Sequence, residues 1–285
     1  MTSGNPPYVD LHIHTTASDG IFTPEELVRQ ASLKGLKAVA ITDHDAWDAI
    51  EPVSRLAFKV GIEVIPGIEL STTIEGAEIH ILGYFIDYRQ EAFQRRVLHF
   101  KDARVERARQ MVARLAELGV RIEIGRVLEI AGTGSVGRPH VARALAEEGY
   151  VGSTDEAFTR YLGNGCPAYV PKNFLSPAES FDLIHSVGGL AFFAHPGIEN
   201  KDELIGQFRH QGLDGLEAWH SKHSASQIKA YLQLARQNGL LVCGGSDCHG
   251  DNLMNNGGGS LKVPYSAVEE MRARLAQIKP KNNAG

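Results

Sequence analysis

The stretch Tyr8-Val9-Asp10-Leu11-His12-Ile13-His14-Thr15-Thr16-Ala17-Ser18-Asp19-Gly20 decides how the rest of the chain is read. Its first half alternates like a short strand, Tyr8 to Ile13. Side chains on a strand repeat every two residues, so His12 and His14 leave it on one side and can share a metal ion. The Ser/Asp/Gly turn that follows can fold the Asp19 carboxylate back toward the pair. A His-x-His alone is a weak signal. It gains weight because the rest of the chain repeats the arrangement, a strand followed by a ligand-type residue.

Leu36 to Thr42 is an apolar strand ending in Asp43-His44-Asp45, and Ile62 to Ile68 is one ending in Glu69. Glu78 to Phe85 carries His80. Helices fill the gaps, with Thr23-Pro24-Glu25-Glu26 and Ser176-Pro177-Ala178-Glu179 as N-cap signals. Later strands end in His195, in Glu217 followed by His220 and His223, and in Asp247-Cys248-His249. Seven strands alternating with helices predict an α/β core, and in parallel barrels the site is built where the strands end. From Gln90 to Lys172 the alternation disappears, and one long helical pattern, Gln90 to Leu118, precedes shorter ones. This predicts a helical insertion over 90–172 in a barrel formed by 8–89 and 173–285.

So many imidazoles and carboxylates exceed what one tetrahedral zinc can use, so two to three divalent ions are expected. Mixed N/O ligation suits manganese first, with iron or zinc as alternatives, over calcium. A net charge of -5 over 285 residues argues against coating nucleic acid by bulk charge, though a local phosphate pocket is compatible with it. No apolar run approaches the ~20 residues of a membrane helix. Met1 to Pro7 lacks the features of a signal peptide, and three cysteines without Cys-x-x-Cys fit a reducing compartment. A cytoplasmic protein with no obligate protein partner is expected.

The motifs His12-Ile-His14, Ser18-Asp19-Gly20, Thr42-Asp43-His44-Asp45, Pro66-Gly67-Ile68-Glu69, His80, Ala194-His195-Pro196 and Ser246-Asp247-Cys248-His249 resemble the polymerase and histidinol phosphatase (PHP) superfamily. The resemblance covers about 8–87 and 173–262. It implies a distorted seven-stranded (β/α)7 barrel and a trinuclear metal site. Its implied ligands are His12, His14, Asp19, His44, Glu69, His80, His195, Asp247 and His249, with Glu69 bridging two ions. Within the insertion, Gly137-Arg138-Pro139-His140 is similar to the motif of the branch with nucleoside 3′,5′-bisphosphate phosphatase and a 5′→3′ exoribonuclease.

That branch implies removal of the 3′-phosphate from a nucleoside 3′,5′-bisphosphate. The alternatives are exoribonuclease action on short 5′-phosphorylated RNA, a histidinol-phosphate phosphatase, and a non-catalytic accessory domain. Arg138 is expected to grip a phosphate bidentately. His140, His223 or a metal-bound water would act as the proton donor, and Lys172 or His223 as a further phosphate contact. Glu217 reads as a supporting group or a strand-end charge, and His220 as solvent-facing. The arginines of the long helix read as a solvated face, broken up by Asp102, Glu106 and Glu117.

Overall fold

The computed structural model describes residues 7–171, 175–250 and 261–278. Lys172 and the Gly/Asn-rich loop 251–260 lie outside them. The strands are β1 (Tyr8–Asp10), β2 (Ala38–Ile41), β3 (Glu63–Ile74), β4 (Ala77–Tyr84), β5 (Leu190–Phe193), β6 (Gly215–His220), β7 (Leu241–Gly245) and β8 (Val263–Pro264). Between them run α1 (Pro24–Leu33), α2 (Ile50–Phe58), α3 (Glu91–Glu117), α4 (Ile124–Ala131), α5 (Arg138–Glu147), α6 (Thr154–Ala157), α7 (Pro177–Ser186), α8 (Pro196–Glu199), α9 (Ile205–Gln211), α10 (Ala225–Asn238) and α11 (Ser266–Ile278). The caps form as their sequences predict. Thr23 accepts from the Glu26 N–H, and Ser176 and Glu179 make a reciprocal capping box.

The strands make one sheet in the order β7-β6-β5-β4-β3-β2-β1-β8. Its two ends meet, because the segment after β1 pairs with the end of β7: Leu11 N–H donates to Gly244 O (3.1 Å), and Asp247 N–H to His12 O (2.9 Å). Gly245 permits this approach, since a Cβ there would lie 2.2 Å from the His12 nitrogen. The result is a nearly closed α/β barrel.

Two features differ from the sequence expectation. An eighth strand, β8, pairs antiparallel with the start of β1 through Tyr8↔Pro264 and Val9↔Val263. At two residues it is too short to show a periodicity. The other is direction: β4 runs antiparallel to both β3 and β5. A tight turn with positive φ at Glu75 and Gly76 sends the chain straight back. The reversal explains His80, which lies early on β4 yet opposite Ser71, two residues beyond Glu69. On a reversed strand, the early residues are the ones at the barrel mouth.

Alternation sorts the barrel residues into two layers. Ala38 and Ala40 join Val9, Leu11, Tyr84 and Phe192 in the interior, while Val39 and Ile41 pack outward with Leu27, Val53 and Phe181 of the surrounding helices. Strands buried on both faces read as continuous apolar runs, as Ala38–Ile41 does. After Leu11 the alternation slips by one, because Ile13 belongs to the outer layer. His12 and His14 thereby both point into the mouth.

Helix α3 crosses between two cores. Phe93, Val97 and Phe100 pack with the barrel, whereas Ala108, Met111 and Leu115 pack with Val127, Val141, Leu145 and Leu162. Among the described residues, no helix is long and apolar enough to cross a membrane.

Candidate metal centre

Glu69 lies at the middle of the mouth and is 1% exposed. Its Oε2 is 3.2 Å from His12 Nε2, 3.1 Å from His14 Nε2 and 3.2 Å from His44 Nδ1. Its Oε1 is 3.0 Å from His80 Nδ1 and 3.1 Å from His195 Nε2. Asp247 Oδ1 lies 3.5 Å from His12 Nε2 and 3.2 Å from His14 Nε2. Asp19 approaches His14 (3.6 Å) and His249 (3.4 Å), and the His249 ring stacks on His14 with centroids 4.2 Å apart. Gly20 lets that turn fold inward, since a Cβ there would lie 2.5 Å from the His14 carbonyl. All nine side chains singled out from the sequence motifs converge on one mouth.

The donor atoms fit divalent metal ions. Ligands about 2.1 Å from one ion stand about 3.0–3.4 Å apart at octahedral to tetrahedral angles, matching most of these separations. Several approaches lie off the hydrogen-bond direction. His14 Nε2, His44 Nδ1 and Asp19 Oδ1 are buried and have no hydrogen-bond partner. Nitrogens and oxygens that crowd together without bonding to each other are placed to bond something between them. Among the described residues the compatible groupings are His12, His14, Glu69 and Asp247; His14, Asp19, His44 and His249; His12, Glu217 and His220; His44, Glu69 and His80; and His80, His195 and Glu199. Glu69 belongs to two of the five.

The electrostatics suit a cation. Burial alone would raise the Glu69 carboxyl, yet His44, His12 and His80 hold it well below the usual carboxylate range. Burial likewise opposes protonation of His14, but Asp247 and Glu69 outweigh it and push it up to about 10. A divalent ion would replace such protons. Backbone strain also concentrates here, with left-handed φ at His195 (30°) and Asp247 (54°).

Buried acids behind the cluster hold its frame, and the motifs do not single them out for that role. Asp43 accepts from the Thr15 N–H (2.7 Å) and from the hydroxyls of Thr15 (2.7 Å) and Ser18 (2.6 Å). Asp10 accepts from the Ser246 N–H (2.9 Å) and hydroxyl (2.6 Å), tying β1 to the segment that leaves β7. Glu217 is a supporting group: one oxygen meets His12 Nδ1 (3.0 Å) and the other accepts from the His195 N–H (2.7 Å). Glu78 lies 3.1 Å from His80 Nε2, and Glu199 3.3 Å from His195 Nδ1. Carboxylates on the far nitrogens fix the orientation of such rings.

Other expectations change. His220 does not face solvent; it is fully buried, 3.4 Å from Asp247. His223 is also turned inward. Its Nε2 accepts from the Gly197 N–H (3.2 Å) and its Nδ1 donates to Ala218 O (3.0 Å), which leaves no ring nitrogen for a substrate. His140 lines a cavity beside Asp19, but its Nδ1 accepts from the Gly137 N–H (2.9 Å) at the start of α5. Burial lowers the pKa of His140 and of His223, so neither is a protonated acid at neutral pH. Arg104 and Arg107 are not on a solvated face; they are 4% and 5% exposed and point to the mouth. Arg138 does reach the site, lining a cavity of about 100 Å³ with Asp19, His44 and His80.

A PHP domain model matches residues 10–117. Over 247 residues the chain is 36% identical to the 5′-3′ exoribonuclease Rnm of Escherichia coli (strain K12), covering 84% of each. The chain belongs to the PHP family. Another PHP relative, the 3′,5′-nucleoside bisphosphate phosphatase of Chromobacterium violaceum, is 31% identical over 247 residues, 85% of this chain and 87% of that one. Among solved structures, a candidate metal-dependent phosphoesterase from Bifidobacterium adolescentis superposes with a TM-score of 0.84 at 31% identity, covering 95% of this chain and 98% of the other. These relatives place the chain in the PHP branch that its Gly-Arg-Pro-His motif resembles. It is a PHP hydrolase of the phosphoesterase class.

Proposed function

We propose that this chain removes the 3′-phosphate of a nucleoside 3′,5′-bisphosphate and releases the 5′-monophosphate. The observation that carries this reading is Arg138, a cation outside the histidine–carboxylate cluster that shares a cavity with His44, His80 and Asp19. A substrate with one phosphate on the cluster and one on Arg138 uses both.

His12, His14, Asp19, His44, Glu69, His80, His195, Asp247 and His249 would hold two to three divalent ions, manganese before iron or zinc, with Glu69 between them. Such ions supply Lewis-acid polarisation of the phosphate and an acidified water nucleophile. The chain's own residues do the rest. Glu217 and Glu78 keep the His12 and His80 rings in register. Arg138 neutralises the phosphate that is not cleaved and orients the sugar between the two sites. Its guanidinium is held for this by Glu78 (3.1 Å) and packs over the rings of Phe158 and Tyr169. His140 is neutral, and its Nδ1 already accepts from Gly137, so it serves as a fixed wall of the site.

Arg138→Ala is expected to lower kcat/KM by about one to three powers of ten, ~1.4–4 kcal/mol of transition-state stabilisation. Metal content should stay unchanged. A variant within twofold of wild type would remove Arg138 from the site.

A second reading is 5′→3′ exoribonuclease action on short 5′-phosphorylated RNA. One observation favours it: a larger cavity of about 790 Å³, lined by Thr16, Asp19, Ile130, Thr133 and Arg143, opens on the other side of Asp19. It has room for a further nucleotide. Turnover of adenosine 3′,5′-bisphosphate, adenosine 3′-monophosphate, histidinol phosphate and a short 5′-phosphorylated RNA separates these readings. A bisphosphate should be preferred over the 3′-monophosphate by at least about tenfold, because the second phosphate contributes binding energy at the transition state. Equal rates on those two would sink the bisphosphate reading, and a strong preference for histidinol phosphate would replace it.

A further inference from the structure

Strand β6 carries Glu217 and His220, three residues apart, and both are fully buried at the mouth. On a regular strand an odd spacing sends two side chains to opposite faces. Here the pairing with β7 slips between them: Glu217 stands opposite Cys243, Trp219 opposite Gly244 and His220 opposite Gly245. The extra residue is a β-bulge, and it restores the phase, so that His220 joins Glu217 on the inner side. The His220 ring centroid lies 5.6 Å from that of His195 and 6.2 Å from that of His12. None of the sequence motifs uses this histidine.

The ring's hydrogen bonds fix what it can do. A backbone N–H only donates, and that of Lys222 donates to His220 Nδ1 (3.1 Å). Nδ1 is therefore the bare nitrogen, which places the proton of the neutral imidazole on Nε2. A protonated Nε2 has no lone pair for a metal, so the grouping of His12, Glu217 and His220 closes by distance but not by chemistry. His12 Nδ1 is committed as well, to Glu217 (3.0 Å). The His220 Nε2 is buried and makes no hydrogen bond, while Asp247 Oδ2 stands 3.4 Å away. A buried donor without an acceptor is costly, and a small turn of either side chain answers this one.

Asp247 is a ligand that needs holding. It sits at a left-handed φ of 54°, and its two oxygens face different ways: Oδ1 toward His12 (3.5 Å) and His14 (3.2 Å), Oδ2 toward His220. We propose that His220 is a positioning residue for Asp247: its Nε2–H holds Oδ2 and leaves Oδ1 as the single oxygen offered to the ion held with His12 and His14. This rests on the divalent-metal reading of the cluster. Strand β6 then supplies no ligand but keeps two in place, the His12 ring through Glu217 and the Asp247 carboxylate through His220. Both belong to the grouping with His14 and Glu69, so the effect falls on one ion rather than on all.

The test compares His220→Gln, which keeps an N–H near the Nε2 position, with His220→Met, which has similar length and no donor. The probe is Mn2+ alone, titrated into the chelator-stripped full chain, with the free ion followed by electron paramagnetic resonance. His220→Met should weaken one ion by about ten- to a hundredfold and leave the others within about threefold, the usual scale for losing the outer partner of a metal ligand. His220→Gln should bring that ion back to within about fivefold of wild type. Thermal melts of the stripped variants should match each other, and the two should separate only when Mn2+ is added, since the ion stabilises whichever protein binds it more tightly. A histidine that merely fills space predicts otherwise: the two variants would bind Mn2+ alike. Equal affinities in the two variants, or a methionine variant within about threefold of wild type at every site, would overturn the role. If the methionine variant fails to fold, His220→Phe fills the space without a donor to Asp247 and takes its place. Wild type binding no Mn2+ would sink the metal reading and this proposal with it, whereas wild-type binding that His220→Met leaves intact would sink this proposal alone.

Discussion

Glu69→Ala is expected to lower turnover by at least about three powers of ten, on the order of 4 kcal/mol or more, and to strip most of the bound metal. One carboxylate stands within 3.2 Å of five imidazole nitrogens, three on Oε2 and two on Oε1. Among the described residues, no other side chain joins as many of the cluster's members. Asp247 approaches His12, His14, His220 and His249, and Asp19 approaches His14, His44 and His249, so each joins fewer rings than Glu69. Removing Glu69 unlinks its five rings and removes negative charge from a region where cations must gather. The barrel should survive. Its ladder at this point uses the backbone, with Glu69 N–H on Asp43 O (3.2 Å) and Asp45 N–H on Glu69 O (3.0 Å). Glu69→Gln keeps the shape and loses the charge, so it tests charge apart from volume. Metal analysis and steady-state kinetics on both variants check this. Full metal content with activity within tenfold of wild type would show that Glu69 is not the hub.

The residues that face the mouth were legible because strand periodicity is a strong signal and histidine is a conspicuous ligand type. His12, His14, His44, His195 and His249 follow apolar runs, and each run's end marks the rim of the barrel. Strand direction was not legible, since apolar alternation reads the same both ways; it is the β3–β4 turn, by reversing the chain, that brings His80 to the mouth. The basic run on α3 was misread for a related reason. Helical spacing shows that Arg104 and Arg107 share a face but not what that face meets. The partners that decide it, Asp45 and Val170, lie 59 and 63 residues away in sequence. His223 failed the same way: its position before α10 resembled an anion site, while the Gly197 N–H that occupies its ring is 26 residues distant. Asp10 was within reach of the sequence, being two residues before His12 and next to the same strand end.

Arg104→Ala is expected to destabilise the fold by about 3–5 kcal/mol, the usual consequence of removing one partner of a buried ion pair. Both side chains are nearly inaccessible, at 3% for Arg104 and 1% for Asp45. Arg104 Nε donates to Asp45 Oδ2 (2.6 Å), its Nη2 to Ser71 Oγ (2.8 Å) and its Nη1 to Val136 O (3.3 Å). One guanidinium thus joins α3 to the loop after β2, to β3 and to the segment that leads into α5. Alanine leaves Asp45 charged and buried, with the Ser71 N–H (3.1 Å) as its remaining donor there. It also holds a left-handed φ of 47°, a conformation that costs more once its side chain is unanchored. Denaturant titration of the two single variants and of Asp45→Asn combined with Arg104→Met checks this. The double variant should recover much of the loss, because the penalty comes from the stranded charge rather than from the missing attraction. A loss below about 1 kcal/mol for Arg104→Ala would mean that water or a rotated side chain answers Asp45. The position of Arg104 between the two cores predicts a functional signature as well. With the clamp gone, α3 can shift against the barrel, and Arg107 and Arg138 shift relative to the metal cluster. Activity on a substrate with two phosphates should therefore fall further than activity on one with a single phosphate, at temperatures where both proteins remain folded.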